Sequence, residues 1–265
     1  MTLAILAFDG ELPQVLRAAH PDAVVVTFAG SAHQMRPPTI EHRYEKLGSV
    51  FDDLRARGVT RVVLAGGLSR PPLDPVQLDP FMMALAPRIM AAMQGGDDAL
   101  LRLVISVFED QGFTVIGAHE LCPELVAAAG LLAGPKPSQQ DQSDAARAAD
   151  ILLALSPLDV GQGAVVAAGL CLGVETVQGT DFMLDSVART APHLRRAKGV
   201  QVKAAKRGQD LRVDMPAIGP DTIAGAVRAG LSGIVIQAGS VMILDRAATC
   251  QAAEDAGIFL MAQEL

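Results

Sequence analysis

Lys203, Lys206, Gln209 and Arg212 stand at three-residue intervals just ahead of one carboxylate, Asp214. Apolar Val213 and Met215 flank that carboxylate, and Pro216 and Gly219 follow it. The chain as a whole carries a formal net charge of −7, so a local bunching of cations runs against its background. Cations converging on an acid in a strand-and-turn context suit a phosphorylated ligand that is held and then attacked. The same spacing also suits a solvated basic turn leading into an edge strand.

Other residues able to do chemistry fall in loops after apolar runs. Gly10, in FDGEL, occupies the first strand-to-helix turn, where a parallel sheet receives ligands; a tight structural turn is the simpler reading. The run AGGLSRP adds two glycines that permit close backbone approach, with Ser69 and Arg70 offering a hydroxyl and a planar charge. His119 and Glu120 follow another strand, where they read either as acid/base or orienting groups or as a hydrogen-bonded hinge. Gln162 lies between Gly161 and Gly163 in a close-approach turn. Thr180 and Asp181 stand at a helix start, where amides and dipole hold an anion and where Thr180 equally serves as an N-cap.

The elements that position these residues alternate. Residues 2–7, 23–28 and 61–65 are β-branched runs, separated by helical patterns over 12–19 and 43–57. This βαβαβ rhythm predicts a parallel sheet covered by helices. Helices over 80–93 and 98–110 and a strand over 113–117 complete an N-terminal Rossmann-like domain, residues 1–130. Residues 131–144, rich in Gly, Pro, Ser and Gln, read as a linker. A separate mixed α/β domain is expected over 145–265: a helix over 145–154, a hairpin turning at Gly169-Leu170, a helix over 181–189, a strand over 200–205, then a second alternation to the end. The fold class is α/β.

Composition bounds the function. The 265 residues are 50% hydrophobic but only 3% aromatic, with no Trp, which points to cores of Ala, Val, Leu, Ile and Met and leaves few stacking platforms for single-stranded nucleic acid. The acidic balance argues against nucleic-acid binding generally. Cys122, Cys171 and Cys250 are far apart and form no CxxC, so neither a disulfide framework nor a zinc knuckle is supported. The N-terminus has no basic leader and its apolar run stops at Asp9, which reads as a cytoplasmic protein. A mean hydropathy of +0.32 is high for such a protein and leaves an apolar cavity or a lipid surface in play.

Taken in order, GDDALLR, GAHE, DVGQGAVV, QGTDFML, KxxKxxQxxRVDxPxIGxxT and AGLSGI resemble the two-domain UDP-2,3-diacylglucosamine pyrophosphatase family, distinct from the metallophosphoesterase type, over nearly the whole chain. The resemblance implies hydrolysis of UDP-2,3-diacylglucosamine to UMP and 2,3-diacylglucosamine 1-phosphate (lipid X) in lipid A biosynthesis, with Mg2+ and water attacking the β-phosphorus. It implies a cytoplasmic enzyme working at the inner membrane, with the acylated sugar between domains that open and close. Peripheral membrane contact and a homodimer are left open. The family's essential aspartate falls on Asp214. The first loop departs from the family's glycine-rich form, reading LAFDGELP, and the loop after the third strand reads AGGLSRP.

On that reading Asp214 positions metal or water, and Asp181 is the next metal or water ligand. Lys203, Lys206 and Arg212 hold phosphate oxygens, with Gln209, Thr180, Gln162, His119, Ser69, Arg70 and Gly10 as further substrate contacts. Two acyl chains fit an adaptable lining of Leu, Met and Val. Two rivals remain at this stage. A nucleotide-sugar oxidoreductase or transferase needs an acid at the end of the second strand, where Ala29-Gly30 stand. A non-catalytic acyl-lipid binding protein has no use for Asp214 among cations.

Overall fold

The computed structural model describes residues 2–67, 73–95 and 97–265. Two compact units divide the chain: residues 1–123 with Asp210–Asp214, and residues 124–209 with Met215–Leu265.

In the first unit β1 (Thr2–Ala7), α1 (Leu12–Ala19), β2 (Val24–Phe28), β3 (Ile40–His42), α2 (Leu47–Ala56), β4 (Val59–Ala65), α3 (Pro80–Gln94), α4 (Asp97–Asp110), β5 (Thr114–Val115) and α5 (Ala118–Leu121) follow in order. The strands form an all-parallel sheet in the order β3-β2-β1-β4-β5. Every residue of β1 from Leu3 to Ala7 is buried, as a central parallel strand covered on both faces must be. The strand order reverses beside β1, so the loops after β1 and β4 flank a topological switch point. Those loops touch: Gly67 N donates to Asp9 O at 2.8 Å, and Gly66 sits at φ +98° where a Cβ would lie 2.3 Å from Asp9 O.

The scarce aromatic residues are not spread evenly, which refines the expectation of purely aliphatic cores. Phe28 stacks between Phe8 and Tyr44, while Phe51 meets Phe81, Phe108 and Phe113, with ring centroids 4.6–6.0 Å apart. Only Phe182 and Phe259 lie outside this unit's sequence. The second unit's core is aliphatic apart from Phe259.

That unit comprises β6 (Gly130–Ala133), α6 (Gln139–Leu155), β7 (Gly163–Ala167), β8 (Leu170–Val174), α7 (Gly179–Ala188), β9 (Val200–Lys203), β10 (Ala217–Ile218), α8 (Pro220–Arg228), β11 (Gly233–Gln237), β12 (Met242–Ile243), α9 (Arg246–Ala256) and β13 (Phe259–Gln263). Its mixed sheet runs β6-β13-β11-β9-β7-β8, with β9, β11 and β13 parallel and β6, β7 and β8 antiparallel to their neighbours. Alternation sorts the faces. Ile234 and Ile236 join Leu184, Ile223 and Ala253 from α7, α8 and α9, whereas Val202 and Val235 join Ala148 and Leu152 from α6. No helix among the described residues is long and apolar enough to cross a membrane.

Two local readings shift. Residues 131–144, read as a linker, contain most of β6 and the start of α6. Ser138 and Asp141 form a capping box, with Asp141 N donating to Ser138 Oγ and Ser138 N to Asp141 Oδ2, so the helix begins at Gln139 rather than at Ala145. The β7–β8 hairpin turns at Ala168-Gly169, one residue earlier than expected. Both have positive φ, and both amides donate to the buried carboxylate of Asp144 at 2.8 and 2.7 Å. That carboxylate, 24 residues upstream, supports the left-handed conformation that Ala168 would otherwise disfavour.

Candidate active site

Lys203 ends β9 with its side chain only 7% exposed, on the sheet face that also receives α7. Alternation along β9 sends Val200 and Val202 toward α6 and leaves Gln201 and Lys203 on the opposite side. Its ammonium donates to Thr180 Oγ1 and lies 3.5 Å from Glu175 Oε2; Thr180 Oγ1 in turn donates to Glu175 Oε2 at 3.0 Å. Thr180 lies inside the first turn of α7, not at its N-cap, which is Gln178. A nearly buried cation thus lies against the first amides of a helix, donors of the kind that phosphate oxygens accept from. Asp181, next along α7, is exposed to solvent.

The loop leaving β9 is held residue by residue. Ala204 N donates to Gln162 O at 2.9 Å, Ala205 N to Gln237 Oε1 at 3.0 Å, Lys206 N to Gln209 Oε1 at 2.8 Å and Arg207 N to Ser156 Oγ at 2.6 Å. The Lys206 ammonium pairs with Asp159. Gly161 and Gly163 do make a close-approach turn, and what they approach is the chain at Glu175. A Cβ on Gly161 would lie 2.1 Å from Glu175 O, at a φ of +62°. Gly161→Ala should therefore lower the thermal midpoint, the left-handed conformation alone costing about 1–3 kcal/mol, and should displace Glu175 from Thr180. Differential scanning calorimetry measures it; an unchanged midpoint would contradict the close approach.

Beyond Gln209 the chain belongs to the first unit for five residues. There Arg212 Nε and Nη2 grip both oxygens of Asp210, at 3.0 and 2.8 Å, while Nη1 donates to Glu109 Oε1 on α4 at 2.8 Å. Hydrogen bonding to Arg212 holds the Asp210 carboxyl below its ordinary range, and the bond to Asp210 raises the Arg212 guanidinium above its own. Val213 packs against the first unit's core. Asp214 closes the turn, its N–H donating to Asp210 O at 3.1 Å.

The sequence-predicted residues therefore fall into two sets. Lys203, Thr180, Lys206, Gln209, Gln162 and Asp181 lie in the second unit; Asp214, Arg212, His119 and Gly10 lie in the first. Lys203 and Thr180 come into direct contact. His119 sits in α5 with Nδ1 buried and unpartnered among the described residues, and Glu120 Oε1 accepts from Gly117 N at 2.8 Å. Gly10, at φ +98°, opens onto free space at the switch point. Ser69 and Arg70 lie outside the described residues. Glu175, Glu109, Asp210 and Asp159, which no motif marks as site residues, are the acids that Thr180, Arg212 and Lys206 meet. For Glu175 a signal existed: a lone acid between a strand and the Thr180 helix start.

An all-parallel Rossmann-like unit and a mixed α/β unit carrying a buried lysine at a helix start define an α/β protein equipped for phosphorylated ligands. The chain belongs to the LpxI family: the LpxI N-terminal domain model matches residues 2–125 and the LpxI C-terminal domain model residues 128–261. It is 39% identical over 270 residues to the UDP-2,3-diacylglucosamine pyrophosphatase LpxI of Caulobacter vibrioides, covering 98% of this chain and 96% of that protein.

Proposed function

We propose that this protein hydrolyses UDP-2,3-diacylglucosamine to UMP and 2,3-diacylglucosamine 1-phosphate (lipid X). The observation that carries the reading is family membership through both domains, together with the nearly buried Lys203 ammonium set against the start of α7. A water oxygen bonds to the β-phosphorus, the bond from that phosphorus to the UMP oxygen breaks, and the water's proton leaves to solvent. Lys203, Lys206 and Thr180 hold pyrophosphate oxygens and offset the charge that builds on them. Asp214 orients the attacking water. The switch point beside β1, where Gly10 opens onto free space, suits the nucleotide end.

Mg2+ belongs to the same reading. Such an ion takes one or two carboxylates and completes its shell with phosphate oxygens and water. Asp214, with Asp181 as the next candidate, would supply a carboxylate to it, and when bound it would neutralise phosphate charge. Peripheral contact with a bilayer is supported by the exposed methionines Met83, Met90 and Met93 along α3.

Turnover in 18O-water tests the reaction. The label is expected in the phosphate of lipid X and absent from UMP, with activity lost on chelation and restored by Mg2+. Label in UMP would overturn attack at the β-phosphorus, and failure to release UMP would overturn the function itself.

A further inference from the structure

Arg212 reads from the sequence as a phosphate ligand, but three of its five N–H donors go to carboxylates of the protein itself. Nε and Nη2 bind both oxygens of Asp210, and Nη1 binds Glu109, which lies 103 residues earlier on α4. Asp210 also accepts from the Arg212 N–H at 3.1 Å, so one carboxylate closes a small ring with the residue it orients. The backbone completes the fold of the segment: Val213 N and Asp214 N both donate to Asp210 O, at 3.3 and 3.1 Å. Val213 is embedded beside the first unit's core. A continuous set of contacts thus runs from α4 through Glu109, Arg212 and Asp210 to the amide of Asp214.

We propose that Glu109 and Arg212 are positioning residues that pin the 210–214 segment to α4 and so set the place of the Asp214 carboxylate. Bidentate guanidinium–carboxylate geometry fixes orientation as well as proximity. An error of about 1 Å at a reacting group is enough to lower a rate by roughly 100-fold. This inference rests on the proposed role of Asp214.

Glu109 separates the two readings of Arg212, because it is 45% exposed and has no part in holding phosphate. The variants Glu109→Ala, Arg212→Ala, Arg212→Lys, the double alanine variant and Asp214→Asn are compared for kcat and KM with purified UDP-2,3-diacylglucosamine. Positioning predicts that Glu109→Ala lowers kcat about 10-fold and Arg212→Ala about 100-fold, with KM within about threefold of the parent. Arg212→Lys should recover part of the loss, and the double variant should be no slower than Arg212→Ala, since both act through one contact. A raised KM with unchanged kcat in Arg212→Ala would make Arg212 a substrate ligand and overturn the inference. Unchanged kcat in Glu109→Ala would overturn it too, and this variant keeps the test decisive even where Arg212→Ala does not fold. An inactive Asp214→Asn beside wild-type Glu109→Ala defeats the positioning role alone. An active Asp214→Asn defeats the catalytic reading of Asp214 instead.

Discussion

Asp214→Asn should lower kcat for UMP release by roughly 10²–10⁴-fold, the range typical of losing a positioned acid/base group, while substrate still binds. Asparagine keeps the size of the side chain. The amide bonds to the Asp210 carbonyl, the Arg212 fork and the packing of Val213 do not use the substituted carboxylate. Calorimetric titration of the variant with UDP-2,3-diacylglucosamine, alongside steady-state assays, separates binding from turnover. Activity within about threefold of the parent would remove Asp214 from the mechanism. Loss of binding together with loss of turnover would make it a ligand group and not a participant in the chemical step.

The second large effect concerns Lys203 and combines stability with function. Its ammonium and Glu175 form an ion pair of which only 7% and 12% of the side chains are exposed, 3.5 Å apart. Removing one partner of such a pair leaves a poorly solvated charge and costs on the order of 3–5 kcal/mol. Lys203→Met should therefore speed hydrogen exchange in β9 and the first turn of α7. Lys203→Met/Glu175→Gln should recover most of that protection, since the glutamine still accepts from Thr180 without an unbalanced charge. Activity should not return with it. A lost charged hydrogen bond to phosphate, worth about 1.5–3 kcal/mol, should raise KM roughly 10- to 100-fold in both variants. Wild-type KM in the stable double variant would limit Lys203 to a structural role.

Much of the fold was legible because its signals are local. The strand at Thr2–Ala7 and the helix at Leu12–Ala19 have the bounds read from pattern alone. A β-branched run and an amphipathic stripe each carry their own periodicity. The short edge strand Gly130–Ala133 carries none. It is a strand because it pairs with Phe259–Gln263, 130 residues on, and a GLLA segment among Gly and Pro reads as a loop until that partner is known. Ser138–Asp141, by contrast, was a capping-box signal that the polar composition around it concealed.

By itself, the sequence determined the α/β class, the parallel first sheet, the family and the residue types suited to pyrophosphate, since all of these reside in local pattern or in ordered motifs. Only the tertiary structure decided which charges face which. The cation series at 203, 206 and 212 looks uniform along the chain, yet its members meet Glu175, Asp159 and the pair Asp210 and Glu109 respectively. Three-residue spacing specifies no common direction once a strand ends at Lys203 and the chain turns. Partners drawn from distant elements then set whether each cation holds a ligand or holds the protein itself.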